Sequence, residues 1–281
     1  MSKYYIQANR ANVWVPEVLA NPGQPWIIED FFPRAGLTII AGRPKLSAKS
    51  WWALLAASCI ASGKSYGPFK VMEKGAVLYI DKEASAYQAA LRFEMLHTGG
   101  SGISYKDCGD FHYMQGMPFA LDRGEHIGAL CAYVAEHSIK YVFVDTFSRA
   151  FSGDENDSKD MMAALACFEP LRSLGCGLCI IHHSNKASYN QAGQRLDPDS
   201  ILRGSSALAG AYEAILSIQG ARVGGKHHNY LIRGGKYVTH EAYQFEWKFK
   251  KDSFAKLIWE GPMEIPEADA PPKRETGGGI Y

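Results

Sequence analysis

The 281-residue sequence predicts an α/β fold: a mainly parallel central sheet with helices on both faces and an antiparallel extension at the C-terminal end. From residue 36 onward, short apolar segments alternate with helical segments, which is typical of parallel strands covered by helices on both sides. After residue 203, strand-like segments follow one another closely without helices between them. Such spacing indicates antiparallel strands.

The parallel part begins with the apolar segment "GLTIIAG", after which a helix is expected from about Lys49 to Ser62. Later strand-like segments have the same relation to the helices that follow them. The predicted strands cover 36–42, 75–81, 110–116, 140–145 and 176–182, and the predicted helices cover 49–62, 85–97, 124–138 and 158–175.

The antiparallel part is predicted from the segments 213–220, 228–235, 243–250 and 255–261. Together the two parts make one core over residues 25–262, preceded by an N-terminal segment, 1–24, that is too short for a separate domain. The tail, 263–281, is rich in Pro, Gly and charge, so we expect it to be disordered. A polar loop over 184–202 is long enough to indicate function or mobility.

Composition excludes some classes of protein. The formal net charge is +1, so any site for a polyanion has to be local. No apolar run reaches the roughly 18 residues of a membrane span, and the N-terminus has no signal-peptide pattern. Six cysteines lie mostly in apolar segments, which favours a reducing, cytoplasmic location. Cys176 and Cys179 have metal-ligand spacing, but their apolar surroundings favour core positions.

The segment 41–50, "AGRPKLSAKS", is similar to the phosphate-binding pattern G-x-x-x-x-G-K-[ST]. It has one residue too many between Gly42 and Ala48, and Ala48 stands where glycine is usual. Three interpretations are open: a working site with a variant loop, a degenerate relic, or a chance Lys-Ser pair at a helix start. For a working site, the predicted nucleotide-binding residues are Gly42, Pro44, Lys45, Leu46, Ser47, Ala48, Lys49, Ser50 and Trp51.

Three polar residues follow other predicted strands. Asp145 ends an apolar strand, where a carboxylate can hold Mg²⁺ together with the Ser50 hydroxyl. Glu83 lies just past another strand and can orient or deprotonate a water, with Asp81 as a nearby competitor. His183, before the long polar loop, is placed to sense a phosphate. Each position alone also fits an ordinary solvated strand end.

The chain resembles the RecA-like ATPases of the plasmid RepA replicative helicase type, which relate to the DnaB-like hexameric helicases. The motifs that carry the resemblance are Lys49-Ser50, Glu83, "DTFSR" (145–149), "DEN" (154–156), "HHSNK" (182–186) and "RGSS" (203–206). It covers roughly residues 25–260 and implies a RecA-like P-loop NTPase core that binds ATP with Mg²⁺. It further implies homo-oligomeric rings, of six subunits by this resemblance, with single-stranded DNA in the central channel.

The resemblance also assigns roles to residues. It places Lys49 on the β- and γ-phosphates and makes Glu83 the catalytic base. Arg92 matches a helix arginine near the active site of the family, and a neighbouring subunit would supply a cationic finger, for which Arg233 and Lys236 are candidates. The remaining implied roles are Ser50 and Asp145 at Mg²⁺ and His183 as the γ-phosphate sensor.

DNA contacts are expected in the channel-facing loops, around 151–159 and 184–203. The cationic candidates are Lys186, Arg195 and Arg203, whose phosphate contacts would be independent of sequence and sensitive to salt. The C-terminal tail is a candidate segment for replication partners.

Three functions fit the sequence. The first is an ATP-driven ring helicase or translocase on single-stranded DNA, from a plasmid, phage or integrated element. The second is a RecA-fold ATPase of the recombination or loading type. The third is a nucleotide-binding scaffold with an impaired phosphate loop.

Overall fold

A computed structural model describes residues 15–16, 20, 25–43, 48–184, 202, 206–236, 238–250 and 253–264. A small antiparallel hairpin of β1 (Trp26–Ile28) and β2 (Phe32–Pro33) precedes the main sheet. This hairpin was not predicted, because its strands are too short to show alternation. Its apolar side chains, including Phe31 and Phe32, are buried in the core.

The main sheet has nine strands among the described residues, in the order β11-β10-β9-β8-β3-β7-β6-β4-β5. The α/β fold class is confirmed. The strands are β3 (Leu37–Gly42), β4 (Ala76–Asp81), β5 (Phe111–Gln115), β6 (Ile139–Asp145), β7 (Gly177–His183), β8 (Ala214–Val223), β9 (Lys226–Gly235), β10 (Val238–Lys250) and β11 (Phe254–Met263).

The helices cover both faces of the parallel strands. They are α1 (Lys49–Ser62), α2 (Ala86–Thr98), α3 (Gly124–Glu136), α4 (Ser158–Ala166), α5 (Glu169–Ser173) and α6 (Ser206–Ala211), with single 3₁₀ turns over Tyr105–Asp107 and Phe147–Arg149. Two separate apolar clusters fill the two faces, one built around α1 and the other around α3 and α4. None of the described helices is both long and apolar enough to cross a membrane.

Two predictions about these elements were wrong in part. The segment 158–175 forms two helices rather than one, because the chain turns at Cys167 and Phe168 and the second helix begins at Glu169, with Pro170 in its first turn. Strand β8 belongs to the parallel part, since it pairs in parallel with β3, and the antiparallel pairing starts only between β8 and β9.

Strand order decides where functional side chains can meet. Strand β7 lies between β3 and β6, and β4 lies on the other side of β6. Because these four strands are parallel, their carboxyl ends share one edge of the sheet. Gly42 is in register with His183, and Asp81 is in register with Asp145. Each of the four strands therefore ends at a residue that the sequence singled out.

Candidate active site

A cavity of about 230 Å³ opens at this shared edge. It lies at the start of α1, beside the end of β3; residues 44–47, between these two elements in sequence, fall outside the described part of the chain. Eight of the eleven predicted site residues that the structure describes line it. The lining residues are Ala48, Lys49, Ser50, Trp51, Glu83, Arg92, Asp145, Thr146 and His183.

Helix α1 brings the first group of side chains to the cavity. Its capping residue Ala48 adopts a left-handed backbone conformation, with φ +51° and ψ +31°, and gives no side-chain cap. A non-glycine residue in this region costs about 1–2 kcal/mol, so the geometry here is one that glycine satisfies more easily. The phosphate-binding pattern has glycine at the position of Ala48. The positive φ explains why glycine is usual there.

Lys49 is the buried cation of the site. Its Nζ donates to the carbonyl oxygens of Gly42 and Arg43, both at 3.0 Å. Burial lowers the pKa of Lys49 to about 8, although the charges of Asp145 and Glu83 act in the opposite direction. The two carbonyl oxygens hold the ammonium group at the wall of the cavity.

Asp145 is the buried carboxylate of the site. Tyr79 donates its hydroxyl to Oδ2 at 2.9 Å, whereas Oδ1 has no hydrogen-bond partner of standard geometry among the described atoms. Burial raises the pKa of Asp145 to about 6, and the Ser50 hydroxyl works against that rise. A buried oxygen without a partner costs free energy unless a ligand completes it.

Glu83 lies at the rim of the cavity, about a third exposed. The Thr146 hydroxyl donates to Glu83 Oε1 at 3.3 Å, and Arg149 Nε lies 3.8 Å from the same oxygen. Asp81, the other candidate for the base, is only 4% exposed. Its Oδ1 already accepts hydrogen bonds from the backbone N–H groups of Glu83 and Ala84, both at 2.8 Å. Asp81 thus shapes the loop that presents Glu83.

His183 and Arg92 complete the lining. The pKa of His183 is lowered, first by burial and then by the charge of Lys49, so the neutral imidazole is favoured near pH 7. Its Nδ1 is buried and finds no hydrogen-bond partner in the described ranges. Arg92, from α2, is half-buried and faces the same cavity. Both residues line the cavity, and the roles that the resemblance implies for them stay predictions.

The two finger candidates lie elsewhere. Arg233 is 6% exposed, and its guanidinium forms ion pairs of 2.8 Å with Asp30 and 2.6 Å with Glu241. Such a side chain is not presented to a neighbouring subunit, so the finger role predicted for Arg233 is at odds with its position. Lys236 is exposed just after β9, as a finger residue has to be.

Other predicted residues fall outside the described ranges. They are the loop residues Pro44, Lys45, Leu46 and Ser47 and the DNA-contact candidates Lys186, Arg195 and Arg203. The core interpretation of the cysteine pair is confirmed, since Cys179 in β7 and Cys176 just before it are buried and free of disulfides. Among the described residues, no group of three or more His, Cys, Asp or Glu side chains is arranged to hold a metal ion.

Two cavity-side residues were missed as functional residues. Thr146 lines the cavity and contacts Glu83, and Arg149 pairs with Glu83 from the following turn. Both belong to the "DTFSR" motif, which was recognised as a whole without roles for its later residues. Their position in the sequence directly after Asp145 could have revealed them, because a turn that follows a strand stays at the same edge of the sheet.

The residues present fit a magnesium ion held jointly with a phosphate. A buried carboxylate oxygen lacking a partner and a nearby hydroxyl at a helix start are the oxygen donors that Mg²⁺ uses in such sites. A helix N-terminus with a buried lysine, next to a strand-end aspartate on the same sheet edge, defines a P-loop nucleoside triphosphatase.

The chain belongs to the AAA_25 family of AAA domains, whose family model matches residues 9–189. Family membership makes the chain a P-loop ATPase domain and implies nucleotide binding, usually with Mg²⁺. The match includes the phosphate loop, Glu83, Asp145 and His183, so it covers the cavity described above. No curated protein matches the chain.

Proposed function

We propose that this P-loop ATPase is an ATP-driven, ring-forming helicase or translocase that acts on single-stranded DNA in the replication of a plasmid, phage or mobile element. The observation that carries the proposal is the meeting of Lys49, Asp145, Glu83 and His183 around one cavity. A phosphate sensor next to the base is useful to a motor, since it can couple the state of the nucleotide to the segment after β7, where DNA contacts are predicted from the sequence.

The chemical step divides among these residues. ATP with Mg²⁺ supplies a γ-phosphoryl group whose bond to the bridging oxygen breaks as water attacks. Glu83 accepts the proton of that water, and its contacts with Thr146 and Arg149 fix the carboxylate at the cavity rim. Lys49 neutralises the charge that builds on the phosphate oxygens.

Asp145 and Ser50 would hold the magnesium ion. Asp145 Oδ1 supports this role, because among the described atoms it has no hydrogen-bond partner of standard geometry and the ion or one of its waters would complete it. The pKa of Asp145, raised by burial to about 6, lies below the pH of a neutral solution, so the carboxylate is charged when the ion binds.

A neighbouring subunit would complete the site in a ring. Lys236 supports this part of the proposal, since it is exposed at the turn that joins β9 to β10. A cation supplied in trans stabilises charge in the transition state and makes turnover depend on assembly.

The test is ATP hydrolysis with and without single-stranded DNA, for the wild type and for Lys49→Ala. We expect DNA to stimulate the wild type and the substitution to reduce turnover by about 100-fold or more, the scale seen when a stabilising charge is removed from an active site. Lys226→Ala, which removes an exposed lysine from the start of β9, is the matched control and should hydrolyse ATP normally. Absence of turnover in the wild type, with and without DNA, would rule out the motor.

A forked substrate separates the first two candidate functions. Strand separation supports a helicase, whereas DNA-stimulated hydrolysis without unwinding supports an ATPase of the recombination or loading type. The left-handed Ala48 specifically favours the third candidate, a nucleotide-binding scaffold, because backbone strain beside Lys49 can impair the phosphate loop. That candidate predicts nucleotide binding without turnover, and Glu83→Gln would then change nothing measurable.

A further inference from the structure

An aromatic stripe runs from the protein core to the wall of the cavity. Phe245, Trp247 and Phe249 alternate along β10 and therefore point to one face of the strand. They face α1, where Trp51 and Trp52 stand side by side in sequence. The β10 side of the stripe lies beyond the family model, which ends at residue 189, whereas Trp51 and Trp52 lie within it.

The inner part of the stripe is ordinary core packing. Trp52 is fully buried, and its ring lies edge-on to Phe245 at 5.1 Å and to Trp247 at 5.7 Å. Phe245 is 7% exposed. These contacts account for the conformations of both side chains without any ligand.

The outer part of the stripe is different. Trp51 contacts Phe249 with ring centroids 5.0 Å apart and Trp247 with centroids 5.8 Å apart, yet Phe249 remains 51% exposed. Trp51 is itself only half-buried and also lines the cavity that holds Lys49 and Asp145. The exposed aromatic surface therefore continues directly from the phosphate-binding residues.

We propose that Trp51 and Phe249 form the base-binding platform of the site, on which the purine ring of the nucleotide stacks; this inference rests on the proposed nucleotide-binding function. The two ring planes are inclined to each other by 51°, so one ring offers its face to a base while the other borders it. A partly exposed pair of rings next to a phosphate site matches the two ends of a nucleoside triphosphate, one aromatic and one anionic. Stacking does not depend on hydrogen bonding to base edges, so the platform favours purines over pyrimidines by ring area and accepts both ATP and GTP.

The test compares ligands with and without a base. The dissociation constants of ATP, GTP, CTP and inorganic tripolyphosphate are measured by calorimetry with Mg²⁺, for the wild type and Trp51→Leu. We expect Trp51→Leu to weaken ATP and GTP binding by about tenfold, within the range for loss of one base–aromatic stack. Tripolyphosphate has no base, so its affinity should stay within about twofold.

Three further variants sharpen the result. Trp51→Phe keeps an aromatic ring and should recover most of the ATP affinity, while Phe249→Leu should show a smaller loss than Trp51→Leu. Trp259→Leu is the matched control, because Trp259 is 39% exposed on β11 and does not line the cavity. It should leave all four affinities unchanged.

The outcomes are distinct. Equal weakening of ATP and tripolyphosphate in Trp51→Leu would overturn the platform, since the ring would then only support the phosphate loop. Unchanged affinity for ATP would overturn it as well. In both cases ATP binding by the wild type would leave the proposed function standing, whereas binding of neither ligand by the wild type would remove both proposals.

Discussion

Two buried cations lie in the two halves of the sheet, and their surroundings differ. In the antiparallel half, Arg233 is held by two carboxylates, Asp30 and Glu241, and lies over the ring of Phe31. In the parallel half, Lys49 donates to two backbone carbonyls and borders a cavity. Both side chains are less than 10% exposed, so burial alone does not distinguish them.

The difference is in how the charge is compensated. Arg233 has its counter-charges at ion-pair distance within the fold, so it joins the β1–β2 hairpin to β9 and β10. Around Lys49, burial outweighs the more distant charges of Asp145 and Glu83 and lowers the pKa to about 8. A cation held by two carboxylates inside the fold serves stability, and one held by backbone carbonyls at the wall of a cavity serves binding. The predictions below test this distinction.

The largest effect is expected for Asp145→Asn. ATP turnover should fall by about 100-fold or more, because the amide is a weaker partner for Mg²⁺. Without nucleotide and Mg²⁺, however, the free energy of unfolding at pH 7 should rise by about 2–3 kcal/mol, since burial raises the pKa of Asp145 to about 6. Denaturant titration and steady-state ATP hydrolysis measure the two changes.

The stability gain of Asp145→Asn should depend on pH. A carboxyl group whose pKa is raised in the folded state stabilises the protein fully below about pH 4, and that stability is lost as the pH rises through about 6. The advantage of Asp145→Asn over the wild type should therefore grow between pH 4 and pH 7. A variant that is less stable than the wild type throughout this range would show that the charged carboxylate supports the fold.

Arg233→Leu should do the opposite. We expect the free energy of unfolding to fall by about 2–3 kcal/mol, somewhat below the ~3–5 kcal/mol of fully buried pairs, since Asp30 and Glu241 are about a third exposed and can be hydrated. ATP turnover per folded molecule should change by less than about twofold, because Arg233 does not line the cavity. A normal unfolding curve with greatly reduced turnover would instead restore the finger role of Arg233.

Part of the fold and part of the candidate site could be predicted from local sequence patterns. The elements of the parallel part were predictable because continuous apolar segments alternate with helices, and α1 begins and ends at Lys49 and Ser62 as expected. The meeting of Lys49, Glu83, Asp145 and His183 was also predictable, since parallel strands bring their carboxyl ends to one edge. The resemblance added the order of these motifs, and the family match supports the P-loop ATPase class.

Other features depend on contacts that are distant in sequence. Arg233 meets Asp30 across 203 positions of the chain, so no local pattern showed that its charge is already matched. The parallel pairing of β8 with β3 depends on strand order, which spacing between segments does not reveal. The hydrogen bonds of Asp81 likewise depend on the turn conformation that brings the N–H groups of Glu83 and Ala84 to its carboxylate.

The smallest effect, and the sharpest probe of the phosphate loop, is expected for Ala48→Gly. The two ends of α1 both have left-handed caps, Ala48 with φ +51° and Gly63 with φ +76°. Replacing Ala48 by glycine should raise the free energy of unfolding by about 0.5–1 kcal/mol and, if the strain opposes phosphate binding, tighten ATP binding by up to about fivefold.

Gly63→Ala is the mirror control: it should lower stability by a similar amount and leave ATP affinity unchanged, because Gly63 lies at the far end of the helix. Calorimetric ATP binding and denaturant titration of both variants decide the point. If Ala48→Gly gains stability but not affinity, the strain at Ala48 does not oppose phosphate binding.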